Sequence, residues 1–122
     1  MIKVENIEYG SMNYKKTLDL RNKVMRIPLG LNIYDEDFSF EKNAIIVGAY
    51  EEEELIGVGT MSYSDNTFKL EYLCVDTDIQ SHGAGGKMLE WLEKNALKIL
   101  IINFDYFIVS LIIYLGLDFT SL

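Results

Sequence analysis

Between Ala44 and Lys98 the hydrophobic period of the chain changes once, and the change falls on a glycine-rich stretch. Ala44–Tyr50 is a continuous apolar run of strand length. The acidic stretch Glu51–Glu54 then reads as a solvated turn. Leu55–Tyr63 is a second strand, and Ser64–Asn66 has turn chemistry. Thr67–Val75 alternates strictly, with Phe68, Leu70, Tyr72 and Cys74 on one face and Lys69, Glu71, Leu73 and Val75 on the other. Short polar joints make these three runs an antiparallel meander. Asp76–Gly86 is polar and glycine-rich. From Lys87 to Lys98 the period becomes helical: Leu89, Leu92 and Ala96 share a stripe, and Glu90 faces Lys94 at i,i+4.

The flanks complete one α+β domain over residues 1–122. Ile2–Glu8 alternates as a first strand. Ser11 or Asn13 can cap a helix beginning near Tyr14, with Leu18, Leu20, Val24 and Met25 as its apolar stripe. Pro28 and Gly30 end it. Asp35–Lys42 reads as a short helix or a structured loop. Beyond Lys98, Ile99–Ile102 reads as a strand, followed by a short helix around Phe107–Tyr114 and a last strand near Phe119. Ile99–Leu117 approaches the length of a membrane span, about 20 residues. Asn103, Asp105 and Ser110 interrupt it, which favours core over membrane.

Composition narrows the function classes. A net charge of −8 argues against nucleic-acid binding and weakly favours a cationic substrate. The lone Cys74 has no internal disulfide partner, and no signal peptide is evident, so a cytoplasmic setting is expected. No ligand cluster suggests a metal.

The chemistry lies in Val75-Asp-Thr-Asp-Ile-Gln80-Ser-His-Gly83-Ala-Gly85-Gly86. A strand ends, a glycine-rich loop follows, and an amphipathic helix starts at once. Amide N–H groups at a helix N-terminus form an anion site, aided by the helix dipole. A Rossmann loop would sit in a parallel βαβ unit, and a P-loop would place Gly-Lys-Ser/Thr at the helix start. Neither fits here.

Leu73-Cys-Val75, Gln80-Ser-His-Gly83-Ala-Gly85 and Met88-Leu89 resemble motif A of the GNAT N-acetyltransferases. Leu20-Arg21, Met25-Arg26 and Pro28–Leu31 resemble the early helical region of a subgroup, and Ala49-Tyr50 with Leu55–Gly57 its second and third strands. The resemblance implies a twisted mixed sheet flanked by helices. It implies a cofactor, acetyl-CoA, whose pantetheine arm lies between the strand ending near Val75 and a parallel strand near Ile99–Ile102. That arm would bond to main chain at Leu73, Cys74 and Val75. The pyrophosphate would rest on Gln80, Ser81, His82, Gly83, Ala84 and Gly85, continuing to Gly86, with Lys87 and His82 as added phosphate partners.

The implied reaction is direct attack of a primary amine on the acetyl thioester. A base or a water chain takes the amine proton, donors stabilise the oxyanion, and an acid can protonate the leaving thiolate. Glu71 is the base candidate, set against the reading of a solvated strand carboxylate. Tyr72 is the lesser alternative, since alternation puts it on the opposite face. Tyr114 is the acid candidate, because Ile113-Tyr114-Leu-Gly-Leu117-Asp118-Phe119 resembles the family's F-Y-x-x-L-G-F ending. Cys74 reads as strand packing, and Asp76 and Asp78 as turn residues. The acceptor is a small-molecule or peptide amine, with Asp35, Glu36 and Asp37 either lining an acidic mouth or forming a solvated loop.

The closing C-terminal strands are expected to be incomplete, which leaves a sheet edge and predicts a homodimer. A non-catalytic acyl-CoA-binding or sensing module is the alternative function.

Overall fold

The computed structural model describes residues 1–64, 67–79 and 82–103. Strands β1 (Ile2–Asn6), β2 (Ile45–Glu51), β3 (Glu54–Ser64) and β4 (Thr67–Val75) form one sheet in chain order. Every neighbouring pair is antiparallel. The meander forms where its turns place it, and β4 matches the expected span to the residue. Glu52 and Glu53 make the β2–β3 turn at φ 50° and 67°, the left-handed twist that a two-residue hairpin demands.

Helix α1 (Met12–Arg21) starts at Ser11, whose side chain accepts from the Tyr14 amide at 3.1 Å. Ser11 is thus the cap, and Asn13 lies inside the helix. A π turn, Asn22–Arg26, and a 3-10 turn, Ile27–Leu29, carry the chain on to Gly30. Expected helix or loop, the next segment is two 3-10 turns, Ile33–Asp35 and Ser39–Asn43.

Helix α2 (Ala84–Asn103) differs from expectation at both ends. It takes Gly85 and Gly86 into its first turn, and it runs through Ile99–Ile102, the segment read as a strand. An apolar β-branched run of that length fits either structure by pattern. The helix continues because no glycine or proline follows Lys94 before Asn103 to stop it. The described sheet therefore contains no parallel strand, and the gap expected beside Ile99–Ile102 is not formed by that segment.

The helices cover opposite faces of the sheet. Ile7, Ile46, Val58 and Cys74 pack with Tyr14 and Leu20 of α1. Val47, Ala49 and Ile56 pack with Ala84, Met88 and Leu92 of α2. Met88 and Leu92 are fully buried, each contributing about 1.5–3 kcal/mol. A Cβ on Gly57 would stand 2.8 Å from Met88 Cε, the flexible end of that side chain, and 3.3 Å from Cys74 O, so α2 crosses β3 closely at this glycine.

Strict alternation on β4 fails at one point. Thr60 pairs with Tyr72 but Met61 with Leu70, so Glu71 is the extra residue of a β-bulge. The bulge moves Leu70 to the α2 face with Leu73 and Val75. Tyr72 stays on the α1 face against Phe38, ring centroids 5.9 Å apart. Glu71 bonds Ser62, which alternates with Met61 and so also belongs to the α1 face. Glu71 and Tyr72 therefore share a face, where period-two alternation separates them.

A buried ion pair joins α1 to the 39–43 turn. Arg21 and Glu41 are both fully buried, with Arg21 Nη1 donating to Glu41 Oε2 at 2.8 Å and Oε1 at 3.0 Å. Tyr14 Oη donates to Glu41 Oε1 at 2.7 Å, and Arg21 Nη2 to Thr17 Oγ1 at 3.2 Å. The guanidinium also lies 5.2 Å from the centre of the Tyr72 ring. Removing one partner strands a charge in the core. Glu41→Ala is expected to lower unfolding free energy by about 3–5 kcal/mol in urea denaturation. The Arg21→Met/Glu41→Leu pair is expected to cost less than that single change; a loss below about 1 kcal/mol for Glu41→Ala would contradict the assignment.

Candidate active site

Strand β4 ends the strand order, and its exit leads directly to the N-terminus of α2. The turn between them is built by Asp76. Its amide donates to Ile56 O at 2.8 Å, its side chain accepts from the Asp78 amide at 3.1 Å, and its carbonyl accepts from the Ile79 amide at 3.0 Å. Lys23, on the π turn after α1, donates to Asp76 Oδ1 at 3.0 Å, Asp76 Oδ2 at 3.1 Å and Asp78 Oδ2 at 3.1 Å. Asp76 and Asp78 are turn residues, as expected. Sequence reading missed Lys23, because 53 residues separate it from Asp76 and nothing in its local pattern marks it.

Gln80 and Ser81 lie outside the described residues. Gly83 is left-handed at φ 87°, a conformation that favours glycine. Helix α2 begins at the next residue, and its first bond is Lys87 N to Gly83 O at 3.2 Å. Ala84, Gly85 and Gly86 precede that bond, so their amides have no acceptor within the helix. Lys87 is exposed on the same first turn. His82 is exposed, with Nδ1 3.3 Å from Glu51 Oε2. The arrangement is a helix N-terminus that can take an anion at its amides.

Leu73 and Val75 point their side chains to the α2 side, and Cys74 is buried on the α1 side. Burial pushes the Cys74 thiol up to about 11, which keeps it protonated and suits packing rather than nucleophilic chemistry.

Glu71 is partly buried, its side chain 24% exposed, and accepts from Ser62 Oγ at 2.8 Å. Lys69 Nζ lies 3.7 Å from its other oxygen. Ser62 is a second residue the sequence did not flag; only the bulge brings it to Glu71. Tyr72 adjoins Arg26 as well as Arg21. Tyr114 lies outside the described residues.

The region expected to meet the acceptor forms a surface hollow of about 530 Å³ lined by Arg26, Leu31, Asn32, Asp35 and Glu36. Of the three acids expected at an acidic mouth, Asp35, Glu36 and Asp37, two are committed elsewhere. Glu36 accepts from Arg26 Nε at 2.6 Å and Nη2 at 3.0 Å, and Asp37 from the Ser39 amide at 2.9 Å. Asp35 lines the hollow.

The acetyltransferase (GNAT) family model matches residues 15–106, three quarters of the chain, spanning the helical region, the meander and the loop-to-helix junction. The chain belongs to the GNAT acetyltransferase family. Its fold is that of solved GNAT enzymes. One is the PaiA N-acetyltransferase from Thermoplasma acidophilum in complex with coenzyme A, with TM-score 0.64, 18% identity, and 80% of this chain matched to 73% of that one. Another is an aminoglycoside 6'-N-acetyltransferase complexed with coenzyme A, with TM-score 0.61, 18% identity, and 79% of this chain matched to 56% of that one. A third is the ribosomal-protein-S18-alanine N-acetyltransferase from Escherichia coli, with TM-score 0.58, 12% identity, and 80% matched to 61%. The GNAT domain thus spans little more than half of the aminoglycoside enzyme it resembles. No curated protein sequence matches the chain. Among the described residues no helix is long and apolar enough to cross a membrane, and no side-chain group is arranged to hold a metal ion.

The Asp76 turn predicts an acid-sensitive element. The Asp78 amide and the Lys23 ammonium hold the Asp76 carboxyl below the usual carboxylate range. A depressed folded value gives stability that is fully present above the unfolded value, about 3.9, and is lost as pH falls through the folded value. Asp76→Asn should therefore destabilise at pH 7 and flatten the acid limb below about pH 4. Denaturant midpoints measured from pH 7 downward check this; parallel curves for both proteins would refute it.

Proposed function

We propose that this GNAT domain transfers an acetyl group from acetyl-CoA to a primary amine of a small molecule or peptide. The observation that carries the reading is the junction of β4 and α2, where left-handed Gly83 delivers the chain into a helix whose first amides lack intrahelical acceptors. A diphosphate matches that site in charge and in its demand for several N–H donors. The main chain of Leu73, Cys74 and Val75 would bind the pantetheine arm. The 80–85 loop, Gly86 and Lys87 would hold the diphosphate, with His82 as a further phosphate partner.

The neighbouring bulge supports the chemistry. It withdraws Glu71 from regular pairing, frees main-chain geometry beside the expected thioester, and turns the Glu71 carboxylate to the α1 side, which also carries the acceptor hollow. Glu71 takes the amine proton, directly or through water, as the amine nitrogen attacks the acetyl carbon. Collapse of the tetrahedral intermediate releases the thiolate of CoA, and Tyr114 would return a proton to it.

Calorimetric titration of acetyl-CoA tests the cofactor half of this reading. The wild-type protein should bind, and Gly83→Glu should not, since it sets a carboxylate and a strained side chain where the diphosphate rests. Thiol release with a panel of primary amines tests the other half, and Glu71→Gln should slow it by about 10²-fold or more. Failure of the folded wild type to bind would remove the basis of the proposal. Binding with no thiol release from any amine would instead support an acyl-CoA-binding module.

A further inference from the structure

We infer that Lys23 is a positioning residue for acetyl-CoA, holding and neutralising the acidic turn at Asp76 and Asp78 so that the diphosphate can settle on the following loop. The inference rests on the acyl-CoA reading above.

The turn and the diphosphate have the same sign of charge. Asp76 and Asp78 occupy the residues just before the 80–85 loop, so a dianion bound there meets two carboxylates at close range. Lys23 reaches both, with three N–O distances of 3.0–3.1 Å. Among the described residues, it is the only cation with a salt bridge to either of them. The pairing also has a mechanical part. Asp76 organises the turn through the Asp78 amide and stays largely buried, with its side chain 12% exposed. Lys23 thereby couples the end of the first helical segment to the approach of the cofactor loop.

The location on the chain fits this role. Asn22–Arg26 is a π turn, which inserts a residue relative to α-helical spacing and so re-aims the side chains it carries. Stability gives a reason for the Lys23–Asp76 pair but only a weak one for the Lys23–Asp78 arm. Lys23 is 49% exposed and Asp78 is 77% exposed, and solvent-exposed pairs add little to folding. The larger consequence is for a bound anion, whose attraction to the helix N-terminus is opposed by any uncompensated carboxylate nearby.

The experiment titrates acetyl-CoA and S-acetylpantetheine into wild type, Lys23→Met, Lys23→Arg and Lys23→Met/Asp78→Asn. S-acetylpantetheine keeps the thioester and the arm but lacks the diphosphate. Lys23→Met should weaken acetyl-CoA binding about tenfold, with Lys23→Arg near wild type. Asp78→Asn in the Lys23→Met background should recover much of the loss, because it deletes the repulsion that the lysine masked. Affinity for S-acetylpantetheine should be the same in all four. Wild-type affinity in Lys23→Met overturns the inference. So does an equal loss for both ligands, or a double variant no tighter than the single one. Wild-type protein that binds neither ligand would overturn the function reading itself, and this assignment with it.

Discussion

Helix α2 crosses β3 closely at Gly57, where the buried Met88 side chain lies against the strand. That contact fixes where the helix can start. With Met88 seated on β3 and Ala84 buried one turn earlier, the N-terminus of α2 must lie at the end of β4. Two points are then set, the last residue of a strand and the first residue of a helix, and the intervening chain must curve between them. Left-handed Gly83 makes the last bend. The exposed amides of the helix N-terminus, the proposed anion site, are thus placed by core packing. Those amides are oriented by Ala84 and Met88, whose side chains are buried in the core.

The opposite face is organised by charge. Arg21 and Glu41 are buried together, hydrogen-bonded to Thr17 and Tyr14 respectively, and covered by aromatic rings that include Tyr72, with Arg21 Nε left without a hydrogen-bond partner. Stability alone is a weak reason for such a pair, since apolar residues of similar volume often replace one at little cost. The ionic pair ties the 39–43 turn to α1 and sets the Arg21 guanidinium against the Tyr72 ring beside the β4 bulge. The surface hollow at Arg26 and the bulge both adjoin this cluster, through Arg26 and Tyr72.

Most of this architecture is legible in the sequence because it depends on local pattern. The meander shows in three strand-length runs with polar joints, and the helix cap shows at Ser11. The loop-to-helix junction shows in its glycines. What the sequence hides is of two kinds. The first is ambiguity of pattern: Ile99–Ile102 satisfies a strand as well as a helix, and only the absence of a stop signal decides it. The second is non-local geometry. The bulge at Glu71 arises from the pairing of two strands, so no reading of β4 alone reveals that Glu71 and Tyr72 share a face or that Ser62 meets Glu71. Lys23 belongs to the same kind, since its partners lie 53 and 55 residues away.

The electrostatics pose a sharper problem than net charge suggests. The proposed co-substrate is a polyanion, whereas the chain carries a net charge of −8. Long-range steering works against it, and screening at physiological salt weakens that penalty beyond about 8 Å. Inside that range the outcome depends on groups within a few residues of the loop. Helix amides and the α2 dipole favour the anion, Lys87 adds to them, and Asp76 and Asp78 oppose them. The lysine that offsets those two carboxylates comes from a distant part of the chain and lies outside the glycine motif. On the proposed reading, a glycine loop on an acidic protein needs its neighbouring carboxylates neutralised before it can hold an anion, and here the cation that meets them, Lys23, arrives by a tertiary contact.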